Sequence, residues 1–490
     1  MQTIFEKSDI SKSGEFWTPT TEAKEKLTKS LVYQGVLWEL IQPGLIKKRN
    51  ILVSGKALFV LKKDLSVAKK MVNLEWKIVE PFVETCNERS RYGLRILYKS
   101  HGFDFYAESS EDLDHWVENL SKIAIMTNVE DDYEFAKVIG RGGFAKIYLA
   151  KNIETQQDFA IKSIEKSQVV NFPSNFAQLV SEIKIMRSLD HPNVVKLHKV
   201  YESETHIHLV LDYLAGGDLM KRLKLKSFYP EELAAKLVYK LLQVLSYLHS
   251  MGITHRDIKL ENIVLLSKSN DIEFKLIDFG LSCENTESMK LRCGSPGYVA
   301  PEILMKQPYT SKVDIYSAGI LLYTLLSGVF PYCEIGWNQK SIAKSKDFRL
   351  FFEDEQWSHV SRAAIQMVIW MTDPNPSCRI SIEDALTSKW ISSFITGIKI
   401  NDIHRNSKLR IGKTRGEISR VKTCHTERDL ALINERSKES PATDKSPNSR
   451  EEHNRNKQIE LKEAQTPKYN ASIRRKSLHI LKDLRKFENN

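Results

Sequence analysis

The sequence predicts an α+β chain, and three observations carry that prediction. Short strand-like runs fill residues 30–126 and close with one amphipathic stretch. A second alternation begins near Tyr133, where a strand–turn–strand over 139–147 is followed by a helix candidate over 174–188. After Ile391 the composition turns polar and basic, with little left to bury. At 490 residues the chain is too long for one core and suits two or three domains.

Residues 1–29 are polar, with Thr18-Pro19-Thr20-Thr21, and are expected to form a flexible lead. Within 30–126, the runs 35–40, 51–53, 57–61 and 94–98 read as strands. Ser109 fits an N-cap, with Glu111 and Asp112 in the first turn. Leu113, Trp116, Val117, Leu120 and Ile123 then share one helical face. This order resembles a pleckstrin-homology domain, a β-barrel closed by a C-terminal helix. Trp116 stands where such domains bury a tryptophan. The resemblance implies a phosphoinositide or membrane-surface site at Lys47, Lys48 and Arg49, which match the basic residues opening the second strand. Glu39 stands near the place of the first-strand lysine of strong binders, and its charge would repel an inositol phosphate. Weak lipid binding or an internal docking role is therefore expected.

The chemistry lies further on. Ile139-Gly140-Arg141-Gly142-Gly143-Phe144-Ala145-Lys146-Ile147 forms a glycine-rich turn, where a missing Cβ lets backbone approach phosphates. Ala160-Ile161-Lys162 follows, then the 174–188 helix with Phe176, Leu179, Val180, Ile183 and Met186 as its apolar stripe and Glu182 beside it. His255-Arg256-Asp257-Ile258-Lys259-Leu260-Glu261-Asn262, Asp278-Phe279-Gly280 and Ala300-Pro301-Glu302 complete the series. Any one string is weak. In this order, at compatible spacings, they form the set that phosphoryl transfer from ATP requires.

From 133 to 391 the chain resembles a eukaryotic protein kinase. That implies a bilobal fold, with a small β-rich N-lobe and a large helical C-lobe. It also implies ATP and Mg²⁺ as cofactors and protein substrates as partners. By the resemblance, Lys162 holds the α- and β-phosphates and pairs with Glu182. Asp212 and Leu214 belong to the hinge that receives adenine through its backbone, and Asp218 bonds the ribose. Asp257 is the base, Lys259 neutralises the γ-phosphate, and Asn262 and Asp278 hold Mg²⁺. Ala145 replaces a third glycine of the family pattern, a mild departure. Lys259 resembles serine/threonine kinases rather than tyrosine kinases. Ser295 can bond Asp257 and Lys259, Glu302 would pair with Arg379, and Asp314 would accept bonds from the catalytic-loop backbone. The alternative is a binding-only pseudokinase scaffold. Such proteins usually lose the equivalents of Lys162, Asp257 or Asp278, and this chain keeps all three.

Segments 211–219, 293–302 and 385–391 resemble the calcium/calmodulin-dependent kinase-like group. Asp218 and Glu261 would offer carboxylates to an arginine before the target hydroxyl, so a preference for basic motifs is expected. One position departs from the pattern: Leu291 stands where many kinases carry a phosphothreonine that Arg256 helps to clamp. Activation is then expected either to need no phosphate or to use Thr286 or Ser288 instead.

Net charge is +11, and residues 394–490 hold 23 Lys/Arg against 13 Asp/Glu, a net of +10. A basic tail over 392–490, mostly disordered, suits an anionic surface or an acidic protein such as calmodulin. As a helix over 472–488, Ile473, Ile480, Leu481, Leu484 and Phe487 align near one face, with Arg474-Arg475-Lys476-Ser477 as a phosphorylation site at Ser477. No nucleic-acid partner is expected. The six cysteines form no Cys-x-x-Cys pair, which fits a reduced compartment rather than a disulfide or zinc framework. Residues 1–12 lack an apolar h-region, and no run reaches the roughly 20 apolar residues that span a bilayer. The expected location is cytoplasmic, with peripheral attachment at membranes.

Overall fold

The structure, a computed structural model, describes residues 4–5, 16–86, 89–98, 101–143, 145–284, 289–331, 348, 350–352 and 354–395. Phe144, Thr286, Ser288, Ser477 and the 472–488 segment lie outside the described residues.

Seven strands open the described chain's N-terminal part: β1 (Leu31–Gln42), β2 (Leu45–Ser54), β3 (Ala57–Leu61), β4 (Ala68–Asn73), β5 (Ile78–Cys86), β6 (Arg89–Tyr98) and β7 (His101–Tyr106). They pair antiparallel in the order β4-β3-β2-β1-β7-β6-β5. Alternation sends Leu37, Ile51, Val53, Leu94 and Phe105 into one core. Helix α1 (Ser110–Ser121) closes it, and the Ser109 side chain caps the helix by accepting from Asp112 N at 3.1 Å. Trp116 is fully buried there, with Tyr33 edge-on at 4.7 Å. Gly35 makes room for it, since a Cβ on Gly35 would sit 2.9 Å from the indole.

A two-residue strand, β8 (Ile125–Met126), joins this part to the next. It pairs parallel with β5 on one side and with β12 (Leu197–Glu202) on the other. The remaining strands are β9 (Tyr133–Arg141), β10 (Ala145–Asn152), β11 (Asp158–Glu165) and β13 (His206–Asp212). Among the described residues one 14-stranded sheet therefore runs through both parts, with Thr18–Pro19 at its far edge. Helix α2 (Pro173–Ser188) packs on the second half and buries Leu179, Ile183, Ile185 and Met186.

The rest is helical. The main elements are α3 (Leu219–Lys226), α4 (Glu231–Ser250), α5 (Lys312–Ser327) and α6 (Arg362–Met371), with a small hairpin of β14 (Ile263–Leu265) and β15 (Phe274–Leu276). Every residue over 313–327 of α5 is buried, the signature of a helix at the centre of a lobe. Among the described residues no helix is long and apolar enough to cross a membrane.

Three apolar side chains among the described residues of the 1–29 lead are buried. Phe5 is wholly buried, and Phe16 and Leu27 are buried too. The mean polarity of the lead hides single aromatic side chains, and burying one Phe contributes about 1.5–3 kcal/mol.

Candidate active site

Two groups of side chains meet across the small and large lobes. In the first, β11 supplies Lys162 and α2 supplies Glu182, and Lys162 Nζ lies 2.6 Å from Glu182 Oε1. Asp278, just past β15, approaches the same ammonium at 3.8 Å. Burial alone would lower the Lys162 ammonium, but the charges of Glu182 and Asp278 outweigh it and hold it above its ordinary value.

In the second group, the segment between α4 and β14 supplies Asp257, Lys259 and Asn262. Lys259 Nζ lies 2.8 Å from Asp257 Oδ2 and donates to Ser295 Oγ at 2.7 Å. Ser295 in turn donates to Asp257 Oδ1 from its hydroxyl (2.7 Å) and its backbone N–H (3.0 Å). Asn262 Nδ2 donates to the Asp257 carbonyl and to Oδ2. Burial would raise the Asp257 carboxyl, yet the bonds from Lys259 and Ser295 prevail and keep it below the usual carboxylate range. It is thus an ionised acceptor at neutral pH, aimed at the cleft where Ser295 and Lys259 converge.

The two groups are tied together by backbone. Ile277 N donates to the Asn262 carbonyl at 2.9 Å, so Asn262 and Asp278 stand at neighbouring ends of the β14–β15 hairpin. Arg256 and Asp278 both adopt left-handed backbone, with φ of 66° and 64°. Non-glycine residues hold such conformations only where the surroundings over-determine them, and they cluster at functional sites. Here the fully buried Asp314, in the first turn of α5, accepts from His255 N at 2.9 Å and Arg256 N at 2.8 Å. Gly294 (φ 107°) passes beneath, where a Cβ would fall 3.0 Å from the Arg256 carbonyl.

The glycine turn closes with Gly142 N donating to the Ala145 carbonyl at 2.8 Å, while Arg141 pairs with Lys146 and Gly140 with Ile147. A Cβ on Gly143 would meet nothing within 4 Å, so this backbone faces open space, as a phosphate cradle must. The donor set of Asp278, about half exposed, and Asn262 suits a hard, oxygen-seeking cation. No cluster of three or more His, Cys, Asp or Glu that could hold a metal occurs among the described residues. A cation at this pair would need phosphate and water oxygens to complete its shell, which is how Mg²⁺ is commonly held.

Other predicted residues stand differently. The Asp212 carboxylate is engaged by His198 and Lys275, both at 2.8 Å, and by Lys196 N at 2.9 Å. Burial would raise it, but these bonds drive it far below its ordinary value, so the carboxylate is taken up within the fold, as is the Asp212 N–H, which donates to the Lys196 carbonyl at 3.3 Å. Leu214 is half-buried just past β13. Asp218 caps α3, its Oδ1 accepting from Lys221 N at 2.8 Å and its Oδ2 lying 3.1 Å from Lys221 Nζ, so it is committed to its own helix. Glu302 and Arg379 form a buried bidentate pair at 2.8 and 3.0 Å.

On the basic strand, the expectation of a repelling Glu39 is corrected. Glu39 is buried and neutralised by Arg49 at 2.6 Å and Lys70 at 2.7 Å, which hold its carboxyl low against the raising effect of burial. Arg49 is therefore spent on Glu39. Lys47 and Lys48 stay exposed, Lys48 with its ammonium 5.5 Å from the Trp38 ring.

Sequence reasoning missed two residues. Tyr309 reaches Arg256, and Arg187 at the end of α2 reaches backward to residues before the kinase-like region. Neither belongs to a motif. Arg187 in a last turn looks like simple dipole compensation.

A family model described as protein kinase domain matches residues 133–391. The chain is 33% identical over 339 residues to a probable serine/threonine-protein kinase 2 of Plasmodium falciparum, covering 68% of this chain and 65% of that one. It thus spans just under two thirds of that relative's length. It is 36% identical over 272 residues to myosin light chain kinase A of Dictyostelium discoideum, covering 55% of this chain and 90% of the relative. Against calcium/calmodulin-dependent protein kinase type 1 of Caenorhabditis elegans, identity is 32% over 288 residues, covering 58% and 81%.

Proposed function

The chain belongs to the protein kinase family, with an ATP-dependent serine/threonine kinase domain over 133–391, and we propose that it phosphorylates Ser and Thr hydroxyls set in basic protein sequences. The observation that carries this reading is the triangle of Asp257, Lys259 and Ser295. Asp257 orients the incoming hydroxyl and takes its proton as the new oxygen–phosphorus bond forms and the bond to the departing ADP oxygen breaks. Lys259, beside it, offsets negative charge that builds on the transferred group. Lys162, fixed by Glu182, orients the remaining phosphates. Bound Mg²⁺ supplies charge neutralisation between phosphates, and Asp278 and Asn262 are the residues that would hold it. Exposed Glu261 offers a carboxylate to a basic residue near the target hydroxyl, whereas Asp218 is partly occupied by Lys221.

The test is labelled-ATP transfer to a basic peptide library, comparing wild type with Asp278→Ala, with and without calcium–calmodulin. Transfer by wild type alone is expected. Equal signal from both proteins would favour the binding-only scaffold. A response to calcium–calmodulin would support the tail segment 472–488 as its target.

A second reading concerns residues 30–126. Seven antiparallel strands, a closing helix and the buried Trp116 support a pleckstrin-homology-like docking module. With Arg49 held by Glu39, a phosphoinositide would meet only Lys47 and Lys48 of the expected basic set. Docking within the chain is the role we assign it.

A further inference from the structure

The helix that carries Glu182 is gripped from outside the kinase domain at both ends. Near its C-terminus the Arg187 guanidinium donates to the Glu75 carbonyl at 3.0 Å and to the Ala124 carbonyl at 2.6 Å. It also lies 5.8 Å from the Trp76 ring. Near its N-terminus, Phe176 packs 5.9 Å from Phe5. The Phe5 ring stacks on Trp76 at 5.0 Å and 16°, fully buried. Ile4 N donates to Glu202 Oε1 at 3.0 Å, and Glu202 also pairs with Lys166 at 2.7 Å. Ile4 and Phe5 thus fill a groove walled by Trp76 and Phe176. Glu182 sits between the two anchors, so an outward swing of α2 would break both.

We propose that this groove is a docking site for the chain's own Ile4-Phe5, and that its occupation, together with Arg187, positions α2 so that Glu182 reaches Lys162. Phe5 and Arg187 are positioning residues; neither touches substrate. The inference rests on the kinase reading and adds its regulation: an aliphatic–aromatic segment in cis replaces an external signal.

The experiment uses the full chain. Phe5→Ala and Arg187→Ala are compared with wild type for kcat, KM for peptide and melting temperature. Phe5→Ala is expected to lower kcat by about 5–150-fold, the range of typical coupling between sites, with KM for peptide unchanged. A synthetic peptide of residues 1–10 added in trans should restore the rate of Phe5→Ala, and the same peptide with alanine for Phe5 should not. It should fail to rescue Arg187→Ala, whose anchor is lost at the other end. Wild-type kcat in Phe5→Ala, or a loss that the peptide does not restore, overturns the proposal while leaving the kinase reading intact. An inactive wild type would overturn both.

Discussion

The Arg256 guanidinium meets the Tyr309 hydroxyl at 3.2 Å, and that hydroxyl donates to the Leu291 carbonyl at 2.6 Å. Arg256 Nε also donates to the Leu281 carbonyl at 2.6 Å. The arginine expected to clamp a phosphate is therefore already engaged by a tyrosine and by backbone of the loop itself. Met289 and Tyr309 exchange backbone bonds at 3.2 and 3.0 Å and pin the same stretch.

Phosphate-independent activity is the expected outcome. Phosphatase treatment should leave the transfer rate unchanged. Tyr309→Phe removes a hydrogen bond to a charged group, worth about 1.5–3 kcal/mol, and should lower the rate roughly tenfold or more. A rate that collapses on phosphatase treatment would instead assign the control to a phosphate, with Thr286 and Ser288 as the candidates the sequence offers.

Lys162→Met and Asp278→Asn should separate catalysis from stability. The first removes a positive charge aimed at the phosphates and the second a carboxylate for the cation, so each should lower kcat about 10²–10³-fold. Only Lys162→Met strands a buried partner, Glu182 at 7% exposed, because in Asp278→Asn the Lys162 ammonium keeps Glu182 at 2.6 Å. Leaving one charge of a buried pair uncompensated costs about 3–5 kcal/mol. Thermal melts should therefore fall for Lys162→Met and stay near wild type for Asp278→Asn. Equal melts would mean that Glu182 finds water or another cation.

The candidate constellation was legible because phosphoryl transfer demands certain residue types at certain spacings, and Lys162, Glu182, Asp257, Lys259, Asn262 and Asp278 carry them in order. Four of the seven strands over 30–126 and the Ser109 cap were legible from alternation and local capping chemistry. What stayed hidden depended on distant partners. Glu39 is neutralised by Lys70, 31 residues away, so its charge could not be judged from its own strand. Phe5 lies in a polar stretch and finds burial only through Trp76 and Phe176. Asp212 and Asp218 were placed by motif, but their carboxylates are taken by His198, Lys275 and Lys221, which pattern alone does not reveal.

The Glu302–Arg379 pair should prove architectural. Both side chains are at most 2% exposed, and Arg379 also donates to the Asp373 and Lys312 carbonyls. Arg379→Ala leaves Glu302 charged and buried, at a cost of about 3–5 kcal/mol. That corresponds to a melting-temperature drop of roughly 10 °C for a domain of this size. The KM values for ATP and peptide, measured well below the transition, should stay near wild type. A large rise in KM for peptide with an unchanged melt would give the pair a substrate role instead.

Asp314 should set an acid limit on stability. It is fully buried and accepts from His249 Nε2 at 2.9 Å besides the two backbone N–H groups of the catalytic loop. Burial alone would raise its carboxyl, but the hydrogen bond and charge of His249 outweigh that and hold it below the ordinary range. A carboxyl lowered by folding adds stability that is complete above its unfolded pKa of about 3.9 and is lost as pH falls through the folded value. Asp314→Asn cannot accept all three bonds, so at neutral pH it should melt lower than wild type. It should also lose less melting temperature than wild type on going from about pH 5 to about pH 3, because that ionisation no longer contributes. Activity should fall with it at neutral pH, since the left-handed backbone of Arg256 is held by this carboxylate. Melting curves for the two proteins that shift in parallel with pH would show that Asp314 titrates alike in the folded and unfolded chain.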